Sequence, residues 1–236
     1  MIRWIVPGLL LAILMLAMLP LRIAFDWSGL GDRGVSARTI SGTIWSGSIS
    51  DLRIGRLELG DFDTSLSPVA LLGGHGRASF TRPETAMDMP PLAFVLDRSR
   101  SGFALANANG DIATGALFAP LPIRSITLAE ANAEFENGSC IAASGDVRMA
   151  IEQDLLGLTL RNGMSGGMRC DGDALLIPLK GQSGLESLDV RITGDGGYTA
   201  DFGLASVGEP MASALAAAGF RKDGERMLLR VRGRLD

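Results

Sequence analysis

The 236-residue chain is poor in the side chains that usually carry out chemistry, since it has one histidine, one tyrosine and two cysteines. A serine-histidine-aspartate or cysteine-histidine site would have to use His75, which stands in the glycine turn GGHGR and is interpreted as an exposed turn residue. Neither cysteine has a second thiol or a histidine close to it in sequence, so a zinc site is unsupported. No catalytic residue, metal site or cofactor is predicted.

Other patterns that could carry chemistry are equally weak. The glycine-rich stretches 72–76 and 163–167 lack the Lys-Ser/Thr pair of a phosphate-binding loop and are interpreted as turns. Asp61 and Asp63 flank Phe62 on a predicted strand and so share one face. An acid–base pair of this kind needs a substrate cleft, which nothing nearby indicates, so we interpret the two carboxylates as facing solvent. The chain is not predicted to be an enzyme.

Positive charge is also scarce. There are 22 basic and 26 acidic residues, and the net charge is −4. A nucleic-acid-binding protein needs a basic face, and this composition argues against one. Near the C-terminus, Arg230, Arg232 and Arg234 alternate with apolar residues and predict a stripe on the solvent face of a final strand. A contact with an acidic partner is the alternative interpretation of that stripe.

The most prominent feature that is present is an uncharged apolar run from Trp4 to Leu21. About 18 helical residues span roughly 27 Å, close to the hydrocarbon thickness of a bilayer. A cleaved signal peptide is the alternative, but its apolar region is normally shorter and a small-x-small cleavage site should follow. The bulky Ile23, Phe25 and Trp27 follow instead. The run predicts a single-pass transmembrane helix.

These features predict the domain organisation and the topology. Basic residues on either side of the run are nearly balanced, and a short tail before a long domain favours a cytoplasmic N-terminus with an exported C-terminal domain. The predicted units are a cytoplasmic tail at 1–3, the membrane helix at 4–22, a linker at 23–34 and a β domain at 35–236, with an internal boundary near 117–124.

From Val35 onward the sequence, which has 31 glycines in all, consists of short alternating runs separated by glycine. Phe62, Thr64 and Leu66 share one face of a predicted strand, and Pro68 is expected to end it. Asn109-Gly110-Asp111 predicts a turn between two strands. The one helix predicted in this part is Glu209 to Phe220, which has a proline in its first turn and Gly219 at its exit.

The predicted fold class is therefore mainly β: an antiparallel, twisted or curved sheet, as one sheet or two sub-sheets, with one short C-terminal helix. An apolar sheet face must be covered by a second sheet, by the same sheet curling, or by an apolar ligand. Cys140 and Cys170 are predicted to form a disulfide that closes a loop of about 31 residues, which requires export from the cytoplasm. Two unrelated buried thiols are the alternative.

One stretch resembles a known family. Residues 40–60, ISGTIWSGSISDLRIGRLELG, are similar to the signature of the type II (general) secretion pathway protein N family, in which a G-T-[VIL]-W-x-G run precedes a short apolar stretch and a glycine turn. The run is carried by Gly42, Thr43, Ile44, Trp45, Ser46 and Gly47. Residues 62–72, FDTSLSPVALL, resemble the strand, proline and leucine pair that follow, although Phe62 stands where tryptophan is more usual.

The resemblance implies a non-enzymatic accessory subunit of the inner membrane, with a periplasmic C-terminal domain that contacts other subunits of the secretion machine. The motif is then structural or lies at an interface, and Trp45 is more often a core or sheet-covering residue than a contact. An alternative resemblance is to AsmA-like envelope proteins, which bind or transfer lipid in an apolar β-groove. An open apolar groove would favour that alternative, whereas a self-packed core would favour the secretion subunit.

Overall fold

The computed structural model describes residues 14–31, 34–55, 57–83, 89–114, 123–151 and 163–234, and within these ranges sixteen strands form one antiparallel sheet. The strands are β1 Val35–Ser36, β2 Thr39–Thr43, β3 Ser46–Ile54, β4 Leu57–Leu66, β5 Gly76–Thr81, β6 Leu92–Arg98, β7 Gly102–Ala113, β8 Ile123–Glu136, β9 Ser139–Ile151, β10 Met164–Gly167, β11 Arg169–Asp171, β12 Ala174–Gly181, β13 Glu186–Ile192, β14 Gly197–Ala205, β15 Arg221–Asp223 and β16 Arg226–Arg234. The prediction of a mainly β, antiparallel fold is confirmed, and the strands form one sheet, not two sub-sheets.

The sheet is a meander in which most strands pair with their neighbours in the chain. β1 and β2 both pair with β3, and β10 and β11 both pair with β12, so each of these pairs acts as one interrupted strand. At the C-terminal end, β16 lies between β14 and β15. Local pairing of this kind follows from short connections, which leave antiparallel neighbours as the simplest arrangement.

Besides the helical residues 14–17, the described ranges contain three short helices: α1 Leu21–Trp27, α2 Pro68–Leu72 and α3 Glu209–Ala217. The predicted C-terminal helix is thus present as α3, and Gly219 follows it with a left-handed φ of +96°. The prediction of one helix beyond the anchor was wrong, since α1 extends from the end of the predicted membrane helix into the predicted linker, and α2 follows β4. Pro68 ends the strand as expected but also begins α2, because Ser67 caps it by accepting a hydrogen bond from the Ala70 N–H (3.3 Å).

The turn predicted at Asn109-Gly110-Asp111 was also wrong, because β7 runs straight through these residues. Asn109 on β7 and Asn132 on β8 instead form hydrogen bonds at the bulges between these two strands. Asn109 Oδ1 accepts the Glu130 N–H (2.8 Å), and Asn132 Oδ1 accepts the Asn107 N–H (2.9 Å). Both donor residues have left-handed φ angles at register shifts. Bulges of this kind bend and twist a sheet, so these side chains help it to curve.

Two apolar clusters lie on the sheet and meet at the half-buried Phe94. The larger is formed by β7 to β16, and the side chain of Leu215 on α3 is completely buried in it. Full burial on one sheet face requires cover, which the curvature of the sheet and α3 supply. The smaller cluster is formed around β3, β4 and β6 and includes Ile49, Leu52 and Phe62.

Most of the predicted membrane helix lies outside the described residues, which begin at 14. Residues 14–17 are helical, Pro20 makes a single bridge to Thr43, and α1 follows. Among the residues that the structure describes, no helix is long and apolar enough to cross a membrane. The predicted internal boundary near 117–124 falls largely on residues outside the description, and the strands on its two sides, β7 and β8, pair with each other.

Candidate functional site

The motif at residues 42–47 forms the tight turn of the β2–β3 hairpin. Gly42 pairs with Gly47 and Thr43 with Ser46, which leaves Ile44 and Trp45 at the tip. Gly42 has a φ of +84°, and a Cβ there would lie 2.6 Å from the Ser46 carbonyl oxygen. A Cβ on Gly47 would lie 2.7 Å from Cδ2 of Leu21. Both positions therefore require glycine, the first for the left-handed turn and the second because a Cβ would also lie 2.7 Å from the Ser41 carbonyl oxygen.

The hairpin tip docks against the end of the N-terminal apolar run. The Trp45 indole N–H donates to the Leu16 carbonyl oxygen (3.1 Å), and the Ile44 N–H donates to the Leu19 carbonyl oxygen (3.1 Å). Ile44 is buried, whereas Trp45 is half-buried. Its ring thus lies at a contact between two parts of the chain and not in the centre of a core. In this structure the motif fixes residues 16–21 to the sheet.

An apolar groove of about 470 Å³ lies between α1 and the adjoining face of β1 and β3 to β6. Apolar side chains make up nearly all of its lining, and the exceptions are the hydroxyls of Ser28 and Thr64. The lining residues are Leu21, Ala24, Phe25, Ser28, Leu30, Val35, Ile44, Ile49, Leu52, Ile54, Leu59, Thr64, Leu66, Ala78, Phe80, Phe94 and Leu96. None of them is charged. The volume lies within the range of about 300–1,000 Å³ typical of small-molecule sites.

Three phenylalanines support one end of the groove. Phe62 is 1% exposed and packs edge-on against Phe80 and Phe94, with ring centroids 6.3 and 5.6 Å away. Phe80 and Phe94 are stacked at 5.0 Å. Such pairs add about 0.5–1.5 kcal/mol each beyond the area they bury. The alternation of Phe62, Thr64 and Leu66 predicted from sequence is confirmed, and all three face inward.

A buried arginine, Arg82, lies behind these rings. Its guanidinium is 5.3 Å from the Phe62 ring centroid and donates to the carbonyl oxygens of Pro90 (2.6 Å), Asp111 (3.2 Å) and Leu59. Burial lowers the pKa of Arg82, and the charge of Asp111 acts in the opposite direction. The side chain thus ties β4 to β7 through backbone carbonyls. Nothing in the sequence pattern indicated this role.

The residues that sequence reasoning considered for chemistry lie apart from one another. His75 lies in the turn between α2 and β5, and Asp61 and Asp63 are exposed on the outer face of β4. Asp61 Oδ1 accepts the Asp51 N–H (2.8 Å) at the bulge in β3, which is a structural task. In the described part of the chain, no group of three or more histidine, cysteine or acidic residues is placed to hold a metal ion.

The predicted disulfide between Cys140 and Cys170 is confirmed, with Cα atoms 5.6 Å apart. The alternative of two unrelated thiols is therefore set aside. β10 pairs with both β9 and β12, whereas β11 pairs with β12. The link from β11 back to β9 comes from the disulfide and from the Cys140 N–H, which donates to the Asp173 carbonyl oxygen (2.9 Å). The bond therefore joins β11 to the sheet at the point where the strand is interrupted.

The C-terminal arginines lie on the exposed face of β16, as predicted. Arg230 makes a two-pronged ion pair with Asp201 on β14, with an Nη2–Oδ2 distance of 2.7 Å. Arg234 donates to the Asp195 carbonyl oxygen (2.8 Å). Exposed pairs of this kind contribute little to stability, because water and salt screen the attraction between the charges.

Comparison with known proteins gives one match. The family model described as type II secretion system (T2SS), protein N, matches residues 33–229. This range begins just after α1 and ends within β16, so it includes the hairpin motif, both apolar clusters and the disulfide. No curated protein and no solved structure matches the chain.

Proposed function

Because the chain belongs to the type II secretion system protein N family, we propose that it is a non-enzymatic accessory subunit of the inner membrane in that machine. The observation that carries the proposal is the family match over most of the chain, which spans the β domain from residue 33 to residue 229. The subunit supports the export of folded proteins from the periplasm across the outer membrane, and it acts through contacts with other inner-membrane subunits.

The way in which the sheet holds the N-terminal run supports a membrane-tethered arrangement. Trp45 and Ile44 bond to carbonyl oxygens at Leu16 and Leu19, so the last turns of the apolar run are attached to the domain and not joined through a loose linker. Trp27 is 78% exposed on α1, just after the run. Exposed tryptophan is favoured at a membrane–water interface. We propose a single span with the N-terminus in the cytoplasm and the sheet in the periplasm.

The disulfide supports the same topology. Structural disulfides persist in oxidising compartments such as the periplasm and are rare in the cytoplasm. The Cys140–Cys170 bond joins two strands of the larger cluster, so a cytoplasmic location would remove a link on which that part of the sheet depends.

The lipid-handling alternative receives partial support from the fold. A groove lined by apolar residues lies on the first half of the sheet, whereas the residues from Ile123 onward contribute to a packed cluster. The two features that were expected to discriminate between the functions therefore occur in different halves of one sheet. The family match favours the secretion subunit.

Two measurements test the proposal. Protease added to spheroplasts should digest the C-terminal domain of the full chain, and complete protection would contradict the topology. In the same cells, a photoreactive amino acid is placed on exposed outer-face positions such as Arg77 and Arg232, and cross-linked products are identified by mass spectrometry. We expect products with inner-membrane secretion subunits. The cross-linked bands should disappear in cells that lack the other secretion genes. Bands of the same size and intensity in those cells would refute the proposed partnership.

A further inference from the structure

We propose that the groove between α1 and the face of β1 and β3 to β6 holds an acyl chain of a bilayer phospholipid. This inference rests on the proposed membrane tether and adds a binding site to it. The starting observation is the lining, in which seventeen residues include two hydroxyls and no charge. A ligand that fills such a site must itself be largely hydrocarbon, because a polar group placed there would lose its hydration without gaining partners.

The position of the groove indicates where the hydrocarbon comes from. The apolar run ends at Leu21, which is both the first residue of α1 and a lining residue. Leu21, Ala24, Phe25 and Ser28 face the groove at helical spacing, whereas Arg22 and Asp26 lie on the exposed side of α1. One wall of the groove therefore continues directly from the segment that enters the bilayer.

The hairpin motif keeps this wall in register with the sheet. Through Trp45 and Ile44 it holds residues 16–19, and Gly47 allows Leu21 to approach the β2–β3 backbone closely. The groove therefore begins at the last residue of the apolar run, which the proposed tether would place at the edge of the hydrocarbon layer.

A polypeptide is a poorer fit than an acyl chain. The groove lies on a sheet face, where the backbone groups of β3 to β6 are already used in ladder hydrogen bonds. A bound peptide would bury its own amide groups in the groove. The lining offers those amides the side-chain hydroxyls of Ser28 and Thr64 as hydrogen-bond partners, which are too few for a peptide backbone. Strand addition needs a free sheet edge instead. An acyl chain carries no such groups along its length, and its headgroup can stay in water.

Exposed apolar surface at the mouth is consistent with an occupant. Leu96 is 41% exposed, and Leu66, Phe80 and Phe94 are half-buried, although all four belong to the lining. Contiguous exposed apolar surface on a folded protein usually marks a binding site.

The test uses the full chain reconstituted in vesicles of phosphatidylethanolamine and phosphatidylglycerol. A small fraction of the lipid carries a photoreactive diazirine near the end of one acyl chain. After irradiation, labelled peptides are mapped by mass spectrometry. We expect labelling in peptides that cover β4, β5 and β6, in addition to the membrane segment itself.

Two substitutions challenge the groove in different ways, each with a matched control. Leu96→Asp places a carboxylate beside the hydrocarbon and should reduce groove labelling about tenfold, whereas Leu72→Asp alters a 90% exposed leucine on α2, outside the groove, and should leave it unchanged. Ala78→Trp fills the groove without adding charge and should also reduce labelling. Thr81→Trp on the opposite face of β5 is its control. Circular dichroism and the gel shift of the disulfide confirm that each variant folds.

Each outcome decides the question. Labelling confined to residues 4–20 overturns the groove proposal while leaving the tether intact, and labelling of neither region refutes the tether as well. Equal groove labelling in Leu96→Asp and Leu72→Asp overturns the proposal, because the label would then not depend on the lining. A photoreactive amino acid at position 96 is cross-linked in cells as a further check. If its main adduct is a protein and not a lipid, the groove holds a polypeptide and the proposal is overturned.

Discussion

Removal of the Cys140–Cys170 bond should lower the stability of the domain by an amount that the length of the closed loop sets. The bond closes a loop of 31 residues, since the two cysteines are separated by 30 positions. In the chain-entropy description, releasing a loop of that length lowers the free energy of unfolding by roughly 3.7 kcal/mol at 25 °C. For a domain of this size, such a loss corresponds to a fall in melting temperature of about 7–15 °C.

The structure indicates that little compensates for this loss. The Gly145 carbonyl oxygen of β9 accepts the Met168 N–H (2.9 Å). Between Gly145 and the start of β9 at Ser139, the disulfide and the Cys140 N–H bond to the Asp173 carbonyl oxygen connect β9 to the region of β11. Cys140 is 6% exposed, so alanine is the appropriate replacement because serine would bury a hydroxyl.

Urea unfolding of the full chain in detergent, followed by tyrosine and tryptophan fluorescence, measures the effect. The Cys140→Ala/Cys170→Ala variant and the reduced wild-type protein should lose similar amounts of stability, because both lack the same covalent link. Reducing agent should not change the double variant further. A loss below about 1 kcal/mol in both would refute the reasoning, since it would show that the loop is already constrained without the bond.

Three further predictions concern the first half of the sheet. Phe62→Ala should lower the free energy of unfolding by about 3–5 kcal/mol in urea unfolding, because it removes a buried ring from the aromatic cluster; a loss below about 1 kcal/mol would show that the site collapses. Trp45→Phe should raise hydrogen exchange at the Ile44 N–H about fivefold, because the indole donor to the Leu16 carbonyl oxygen is lost; an unchanged rate would contradict the docking role. A hydrogen bond from Arg53, reinforced by charge, holds the pKa of Asp51 below its ordinary value of 3.8. Its stabilising contribution is therefore present above pH 3.8 and lost as the pH falls through the lowered pKa, so acid titration of Asp51→Asn should show a smaller stability change in that range than the wild type.

Elements with strict local patterns were predicted well from sequence. Phe62, Thr64 and Leu66 face inward because side chains alternate along a strand, whatever lies opposite them. Tyr198 and Phe202 follow the same alternation and lie on one buried face of β14. The helix α3 was found from the proline in its first turn and Gly219 at its exit.

Patterns whose meaning depends on a neighbouring strand were predicted poorly. Asn109-Gly110 has the composition of a hairpin turn, but in β7 its asparagine supports a bulge in β8, 21 positions further along the chain. Gly110 is needed because a Cβ there would lie 2.1 Å from the Pro91 carbonyl oxygen. Neither partner is visible in a local window, so the turn signal was misleading.

The site shows the same division. The glycine-tryptophan motif was recognised from its spacing, but its contact with Leu16 joins residues 29 positions apart and could not be inferred from the pattern. An open apolar groove was considered only as an alternative, and its helical wall could not be predicted because α1 falls partly in the predicted membrane helix and partly in the predicted linker. Its apolar face of Leu21, Ala24 and Phe25 is too short for helical periodicity to be distinguished from the end of the apolar run.

By itself, the sequence determined that this chain is a β protein with an apolar N-terminal run and an inward-facing side on most of its strands. These features follow from periodicity, composition and residue type, which act locally. The tertiary structure alone decided what covers each apolar face: the sheet's own curvature and α3 in the second half, and α1 with an open groove in the first. That choice depends on register shifts and on contacts between distant segments, because a strand's pattern specifies that a face must be covered but not by what.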